Sequence, residues 1–270
     1  MSMSFVLRML KRFFITIVAL STLWFIVEKI FDRLDQRMSL FSALVLTYFI
    51  SAYILLPRVI RLTAIIVRSG HIPHFSRSSD GLPADPVNIM LIGSEAKLQT
   101  AFQQLGWYKA QHITVSSAIK MVKALLLNQT YPEAPFSYLY LFGRKQDAGF
   151  QQAIGNSPRY RHHVRFWGVS GDPELDFTDK KYWTKKQKGK GVEPTVWVGA
   201  GVKDMGLTFA RLTYQITHKV DKNIDEERDY IISLLKKNNL ISEAKFIEPG
   251  QFAVGKKYIS DGKIIVATLK

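Results

Sequence analysis

Cysteine is absent from all 270 residues, and acidic side chains are scarce, with 22 Asp and Glu against 37 Lys and Arg. The first absence excludes a disulfide scaffold, a thiolate zinc site and a cysteine nucleophile. Recognisable reaction motifs are missing as well. There is no GxSxG nucleophile elbow and no HExxH zinc helix, and a single glycine, Gly93, follows the apolar run VNIMLI where a phosphate-cradling GxGxxG loop needs three. Acyl transfer and dinucleotide binding therefore lose their usual sequence support. The shortage of acids leaves a formal net charge of +15 at pH 7, which points to anionic partners.

What the chain does have is two long apolar runs, residues 13–31 and 39–56, near the roughly 20 residues a helix needs to cross hydrocarbon. Only Glu28 and Lys29 interrupt them with charge. Arg8, Lys11 and Arg12 precede the first run as they would in a signal peptide, but the run is long for one, lacks a small-x-small cleavage site and is followed by another. A buried hairpin of a soluble protein is disfavoured by run length. The expectation is a two-span transmembrane hairpin over residues 1–70, a linker over 71–86 and a domain over 87–270.

Basic residues flank the outer ends of the two runs: Arg8, Lys11 and Arg12 before the first, Arg58, Arg61 and Arg68 after the second. By the positive-inside tendency both termini, and the domain, face the cytoplasm. Residues 85–270 carry 27 basic against 18 acidic side chains, so a tethered domain would be drawn to an anionic inner leaflet. Nucleic acid, the other common partner of such charge, is disfavoured by the tether.

The linker stretch, HIPHFSRSSDGLPADP, is crowded with Pro, Gly and Ser, and its His71 and His74 are read as solvated. VNIMLIGS reads as a buried strand, and Ser94 caps a helix that Gly106 stops. Ile119, Val122, Leu125 and Leu126 recur at helical spacing within residues 114–127 and predict a second helix. Strands follow at 137–144, 149–154 and 162–169. Residues 170–194, with KKQKGKG, read as an exposed basic loop. Residues 195–202 and 207–218 form a predicted hairpin around DMG. A third helix over 225–239 has acids first and lysines last, and 263–269 closes as a strand. Clustered strands predict an α+β fold with a mainly antiparallel sheet packed with about three helices.

The densest chemistry is RYRHHVRFWG, residues 159–168. Alternation along a strand puts His162, Val164 and Phe166 on one face and Arg161, His163, Arg165 and Trp167 on the other. The first face must look into the core, with His162 as a hydrogen-bonded histidine at its margin. The second is expected to be an exposed polar face, joined by Arg211, Thr213 and Gln215 if residues 207–218 lie near. Guanidinium donors and an imidazole suit a carboxylate or phosphate. On this reading Arg161 holds an anion, and His163, Arg165 and His218 are the catalytic candidates, with Asp221 or Asp225 completing the site. Arg144 and Gln146, at a strand end, are further ligand candidates. The competing explanations are ordinary: outer faces of antiparallel sheets meet water, Asp225 is a first-turn helix acid, and Gly143 and Asp147 form a turn. His218 with nearby carboxylates could hold a hard divalent ion, but no compact ligand motif names a metal or a cofactor.

Taken in order, DPVNIMLIGS, GWYKA, YLFGRKQDAGFQ, SPRYRHHVRFWG, WVGAG and ITHKVDKNIDEERDYI resemble the LssY C-terminal-like domain of bacteria, from about Asp85 to near Leu235. Such domains occur behind membrane helices, or appended to phosphatidic-acid-phosphatase-like and DedA-like membrane proteins. The resemblance implies a bacterial inner-membrane protein in an envelope or lipid-phosphate setting, and no particular activity. Relatives often read THHID where this chain has Thr217, His218 and Lys219, which puts any role of a second histidine in doubt. Three readings follow. One is an accessory or binding domain for an anionic lipid-phosphate or phosphoester group. Another is a phosphoester hydrolase using His163 and His218 with the arginines, and the third is an assembly component with a membrane-protein partner.

Overall fold

Backbone polar groups that cannot reach water must be satisfied along their own chain, and a long apolar run does this by becoming helix. In the computed structural model, which describes residues 3–67, 74–170, 195–248 and 258–270, α1 (Met3–Phe25) continues through a π-helical stretch, Ile26–Phe31, into the short α2 (Asp32–Asp35). Ser39 caps α3 (Leu40–Ile50), which passes through a second π-helical stretch, Ser51–Leu55, into α4 (Leu56–Val67). The segments Met9–Asp35 and Leu40–Thr63, 27 and 24 residues long and each with an 18-residue stretch of mean hydropathy 1.9, are long and apolar enough to cross a membrane.

The chain divides into two compact units, and the first joins these helices to Ser79–Leu82 and Phe209–Thr217. Ala52 lies in the second π-helical stretch, and Pro57, five residues on, has no N–H to offer its carbonyl. Gln215 Nε2 donates to that carbonyl instead, at 2.9 Å. Tyr48 Oη donates to the Tyr214 carbonyl at 2.8 Å, and Ile216 N donates to Tyr53 Oη at 3.2 Å.

Among the described residues, the second unit holds two sheets. A small one runs β2 (Pro83–Pro86), β1 (Phe75–Arg77), β5 (Tyr140–Leu141), β6 (Arg144–Lys145). The large one runs β11 (Lys245–Ile247), β12 (Ile264–Thr268), β3 (Ile89–Ile92), β9 (Thr195–Phe209), β8 (Tyr160–Ser170), β7 (Ala148–Ala153), β4 (Tyr108–Lys109), with β10 (Ile216–Val220) also pairing with β9. Only β12 and β3 are parallel among the described pairs, so the fold is α+β and mainly antiparallel.

Among the described residues, three helices accompany the sheets. The Ser94 hydroxyl accepts from Lys97 N at 3.2 Å and starts α5 (Glu95–Gln104), and Gly106 beyond its end takes φ +72°. Thr114 and Ser117 form a reciprocal cap on α6 (Val115–Leu126), and Asn223 caps α7 (Ile224–Lys237). One face of the large sheet packs on α5 and α7 through Phe102, Leu98, Ile231 and Leu235 against Leu91, Val164 and Phe166. The Phe102 and Phe150 rings stack with centroids 4.7 Å apart. The other face is apolar too, burying Met90, Trp167, Val196 and Val198 with Leu139 and Leu141.

Two expectations change. Residues 71–86, read as a linker, contain β1 and β2: Pro83 and Pro86, two of the residues that suggested loop, occupy the ends of β2, positions where the missing N–H costs no ladder bond. Residues 195–218 do form a hairpin, but β9 runs straight through DMG to Phe209 and the turn falls later. Ala210 N donates to Gln215 O at 2.8 Å, Tyr214 N donates to Ala210 O at 2.8 Å, and Tyr214 takes φ 56°. Strict alternation across 207–218 therefore fails, because it requires extended backbone throughout. His71 and the KKQKGKG stretch lie outside the described residues.

Candidate functional site: a buried charge network on strands β8 and β9

The alternation read from RYRHHVRFWG is the one observed. His162, Val164 and Phe166 face α5 and α7, and Arg161, His163, Arg165 and Trp167 face the opposite way. The second face does not meet water. Arg161, His163 and Arg165 are each at most 6 % exposed, and Trp167 is fully buried. An exposed polar surface is thus replaced by a covered one, because Asp204 on β9 and Asp85 on β2 pair with the arginines and the ring of Phe136 lies against both guanidiniums.

Those partners are carboxylates. Arg161 Nε donates to Asp204 Oδ2 at 2.8 Å and its Nη1 to Gln151 Oε1 at 2.7 Å. Arg165 Nη1 donates to Asp85 Oδ2 and lies 2.6 Å from His163 Nε2. A guanidinium can only donate, so where His163 Nε2 meets Arg165 it can only accept; Nε2 also lies 3.5 Å from Asp85 Oδ2, and Nδ1 lies 3.4 Å from Asp204 Oδ2. His218 repeats the pattern, with Nε2 3.3 Å from Arg161 Nη2 and Nδ1 3.5 Å from Asp204 Oδ2. The Phe136 ring lies over the Arg165 guanidinium at 4.3 Å and tilts against the His163 ring at 5.5 Å. Two guanidiniums and two carboxylates balance one another, and two imidazoles bridge them.

Burial and charge pull against each other here. Burial raises the carboxyl pKa of Asp204, but His163, Arg161 and His218 outweigh it and leave it far below the usual range. Asp85 is likewise lowered, against burial, by Arg165 and His163. His218 falls to about 4, first through burial and then through the nearby Arg161, with Asp204 opposing. Burial, and secondarily Asp85, raises the pKa of the Tyr258 hydroxyl. The cluster also keeps unused valences: among the described residues, Asp204 Oδ1, His163 Nδ1, His218 Nδ1 and Arg165 Nε are buried without a hydrogen-bond partner.

The remaining candidates are placed elsewhere or differently engaged. Arg144 pairs with Asp147 at 2.5 Å and donates to the Gly168 carbonyl, tying the β6 turn to β8. Gln146 Oε1 accepts from Leu139 N at 2.7 Å. Arg211 belongs to the first unit, with Thr213 and Gln215. His218 turns to Asp204, and neither Asp221 nor Asp225 completes its site. Asp221 Oδ1 accepts from Asn223 N at 3.1 Å, and Asp225 holds Ser260 Oγ at 2.9 Å and Asp261 N at 2.6 Å. No group of three or more His, Asp or Glu side chains is arranged to hold a metal ion among the described residues. His162 is the core-margin histidine expected, with Nδ1 2.8 Å from Glu227 Oε2 and its ring stacked on Tyr230 at 4.3 Å. It borders a cavity of about 160 Å³ that Lys203, Asp221 and Glu227 also line.

Asp85, Asp204, Gln151 and Phe136 were not anticipated. Asp204 was within reach: it continues the parity of Val198, Ala200 and Val202, and it pairs with Arg161 across the β8–β9 ladder. Phe136 depends on Gly149, since a Cβ there would overlap its ring. Gly149→Ala should therefore push Phe136 off the arginines and destabilise the protein by about 1–3 kcal/mol, as overpacking does. Urea denaturation checks this, and Phe136→Leu in the same chain should restore part of the loss.

A family model described as the LssY C-terminus matches residues 69–264, which extends the resembling region on both sides and takes in β1 and β2. No curated protein and no solved structure matches the chain. With well over half of its length matched, the chain belongs to the LssY C-terminal family.

Proposed function

We propose that this is a membrane-anchored accessory protein whose domain recognises an anionic phosphate group, lipid-borne or soluble, at the His218 edge of the network. Anchoring is supported by two long helices whose Leu20, Leu23, Trp24, Phe41 and Leu44 are exposed, as lipid-facing side chains would be. Family membership favours a bacterial inner membrane, and the basic flanks favour both termini, and the domain, on its cytoplasmic side.

The observation that carries the recognition reading is the contact between Arg161 Nη2 and His218 Nε2 at 3.3 Å, with the His218 side chain 22 % exposed. With His218 neutral, Nε2 accepts from the guanidinium. Once protonated, two donors face each other, and an anionic oxygen between them would accept from both. Anion binding and protonation of His218 therefore favour one another. The Nε2 atoms of His163 and His218 are both engaged by guanidiniums, so neither offers a free lone pair to activate water. Phosphoester hydrolysis has less support for that reason.

Full-length protein in nanodiscs should bind glycerol 3-phosphate, or phosphatidate in the disc, more tightly as pH falls from 7.5 to 5.5, by at most about tenfold per pH unit. His218→Asn should remove that pH dependence while leaving the ligand's own titration. Binding of the soluble ester alone, or of the lipid alone, identifies the source of the phosphate. Absence of binding to both, or an unchanged pH dependence in His218→Asn, would overturn the proposal.

A further inference from the structure

Helix α6 is built inside out. Its buried side chains are Ser117 and Ala124, whereas Val115, Ile119, Val122 and Leu126 are 79, 65, 56 and 76 % exposed. These four recur at i, i+4, i+7 and i+11 and form one stripe along the helix. Ile113 before the helix and Leu127 after it are exposed as well. The apolar periodicity that announces a helix in the sequence thus marks, for three of its four residues, the face turned away from the core. A soluble surface helix shows the reverse arrangement, and contiguous exposed apolar patches mark interaction sites.

We propose that the α6 stripe lies in the interface of an anionic bilayer, as a second and monotopic contact of the domain with the membrane that anchors the chain. This rests on the anchoring reading above. Charge complementarity selects the occupant. Lys120 and Lys123 flank the stripe, Lys109 precedes it, and no Asp or Glu occurs between Glu95 and Glu133. An apolar stripe bordered by lysines is the pattern of helices that lie in a lipid interface, with the ammonium groups drawn to anionic headgroups. A second copy of the chain fits less well, because apposed stripes would bring Lys120 and Lys123 of both copies together. The tether also keeps a bilayer close at hand, so a modest interfacial affinity is enough for docking.

The absence of cysteine makes the test direct. Single-cysteine variants Ile119→Cys, Leu126→Cys, Gln129→Cys and Leu44→Cys of the full-length protein are labelled with a nitrobenzoxadiazole fluorophore. Each is placed in nanodiscs of phosphatidylcholine and phosphatidylglycerol containing doxyl-labelled lipid. Labels at 119 and 126 should lose fluorescence to a similar extent as the label at 44, with a blue-shifted emission, and the label at 129 should not. Replacing phosphatidylglycerol with phosphatidylcholine should weaken the quenching at 119 and 126 and leave that at 44 intact. Quenching at 44 without quenching at 119 and 126 overturns α6 docking and leaves the anchor standing. Loss of quenching at 44 as well overturns both. Shielding at 119 and 126 that depends on the number of protein copies per disc, and not on doxyl lipid, overturns the bilayer in favour of a second copy.

Discussion

Asp204→Ala should destabilise the protein by about 3–5 kcal/mol, the usual cost of removing one partner from a buried ion pair. The carboxylate accepts from Arg161 and faces Nδ1 of both His163 and His218, so its loss leaves a buried guanidinium with Gln151 and His218 as its remaining hydrogen-bond partners among the described residues. Chemical denaturation of the full-length protein in detergent micelles measures the effect. A companion variant separates charge from packing. Asp204→Leu with Arg161→Met removes both charges at similar volume and should recover most of the loss, since a buried pair replaced by apolar groups is often neutral or better. A loss below about 1 kcal/mol for Asp204→Ala would place the network among surface ion pairs, which contribute little.

Acid should weaken the fold in two stages. His218 has a pKa near 4 in the folded state against 6.5 in the unfolded chain. Between these values the unfolded state binds more protons, so stability falls as pH drops from about 6.5 towards 4, by up to about 3 kcal/mol from this group. Asp85 and Asp204 act next and with the same sign. Their folded pKa values lie below 3.8, so the stability they contribute is present above that pH and lost below it. Thermal melts from pH 7.5 to 3 should show both branches. His218→Asn should flatten the upper branch and keep the lower one, whereas a flat wild-type profile between pH 6.5 and 4 would contradict the burial of His218.

Much of this architecture could be read from residue patterns. Apolar runs gave the two long helices, Ser94 and Gly106 bracketed α5, and alternation in RYRHHVRFWG divided its side chains between the two faces correctly. Alternation reports which side chains share a face; it does not report what covers that face. The partners that bury Arg161 and Arg165 come from distant segments. Asp85 is 80 residues from Arg165 in the chain and Asp204 is 43 from Arg161, and no local periodicity links them. Asp85 was further obscured by its proline-rich surroundings, which read as loop although they hold an edge strand. His218 was singled out by its neighbours Asp221 and Asp225, but backbone and loop groups claim both acids, and its carboxylate partner is Asp204 on the adjoining strand. In α6 the period was legible and the direction was not, because a stripe facing lipid has the same spacing as one facing a core.

The measurement closest to the central claim is the protonation of His218 itself, followed by NMR of histidine-labelled full-length protein with and without saturating glycerol 3-phosphate. His218 should titrate near 4 in the free protein, and its midpoint should move upward when the phosphate occupies the Arg161–His218 edge. A free midpoint near 6.5, or a midpoint that stays in place at saturation, would contradict a buried network that opens to an anion through its one partly exposed histidine.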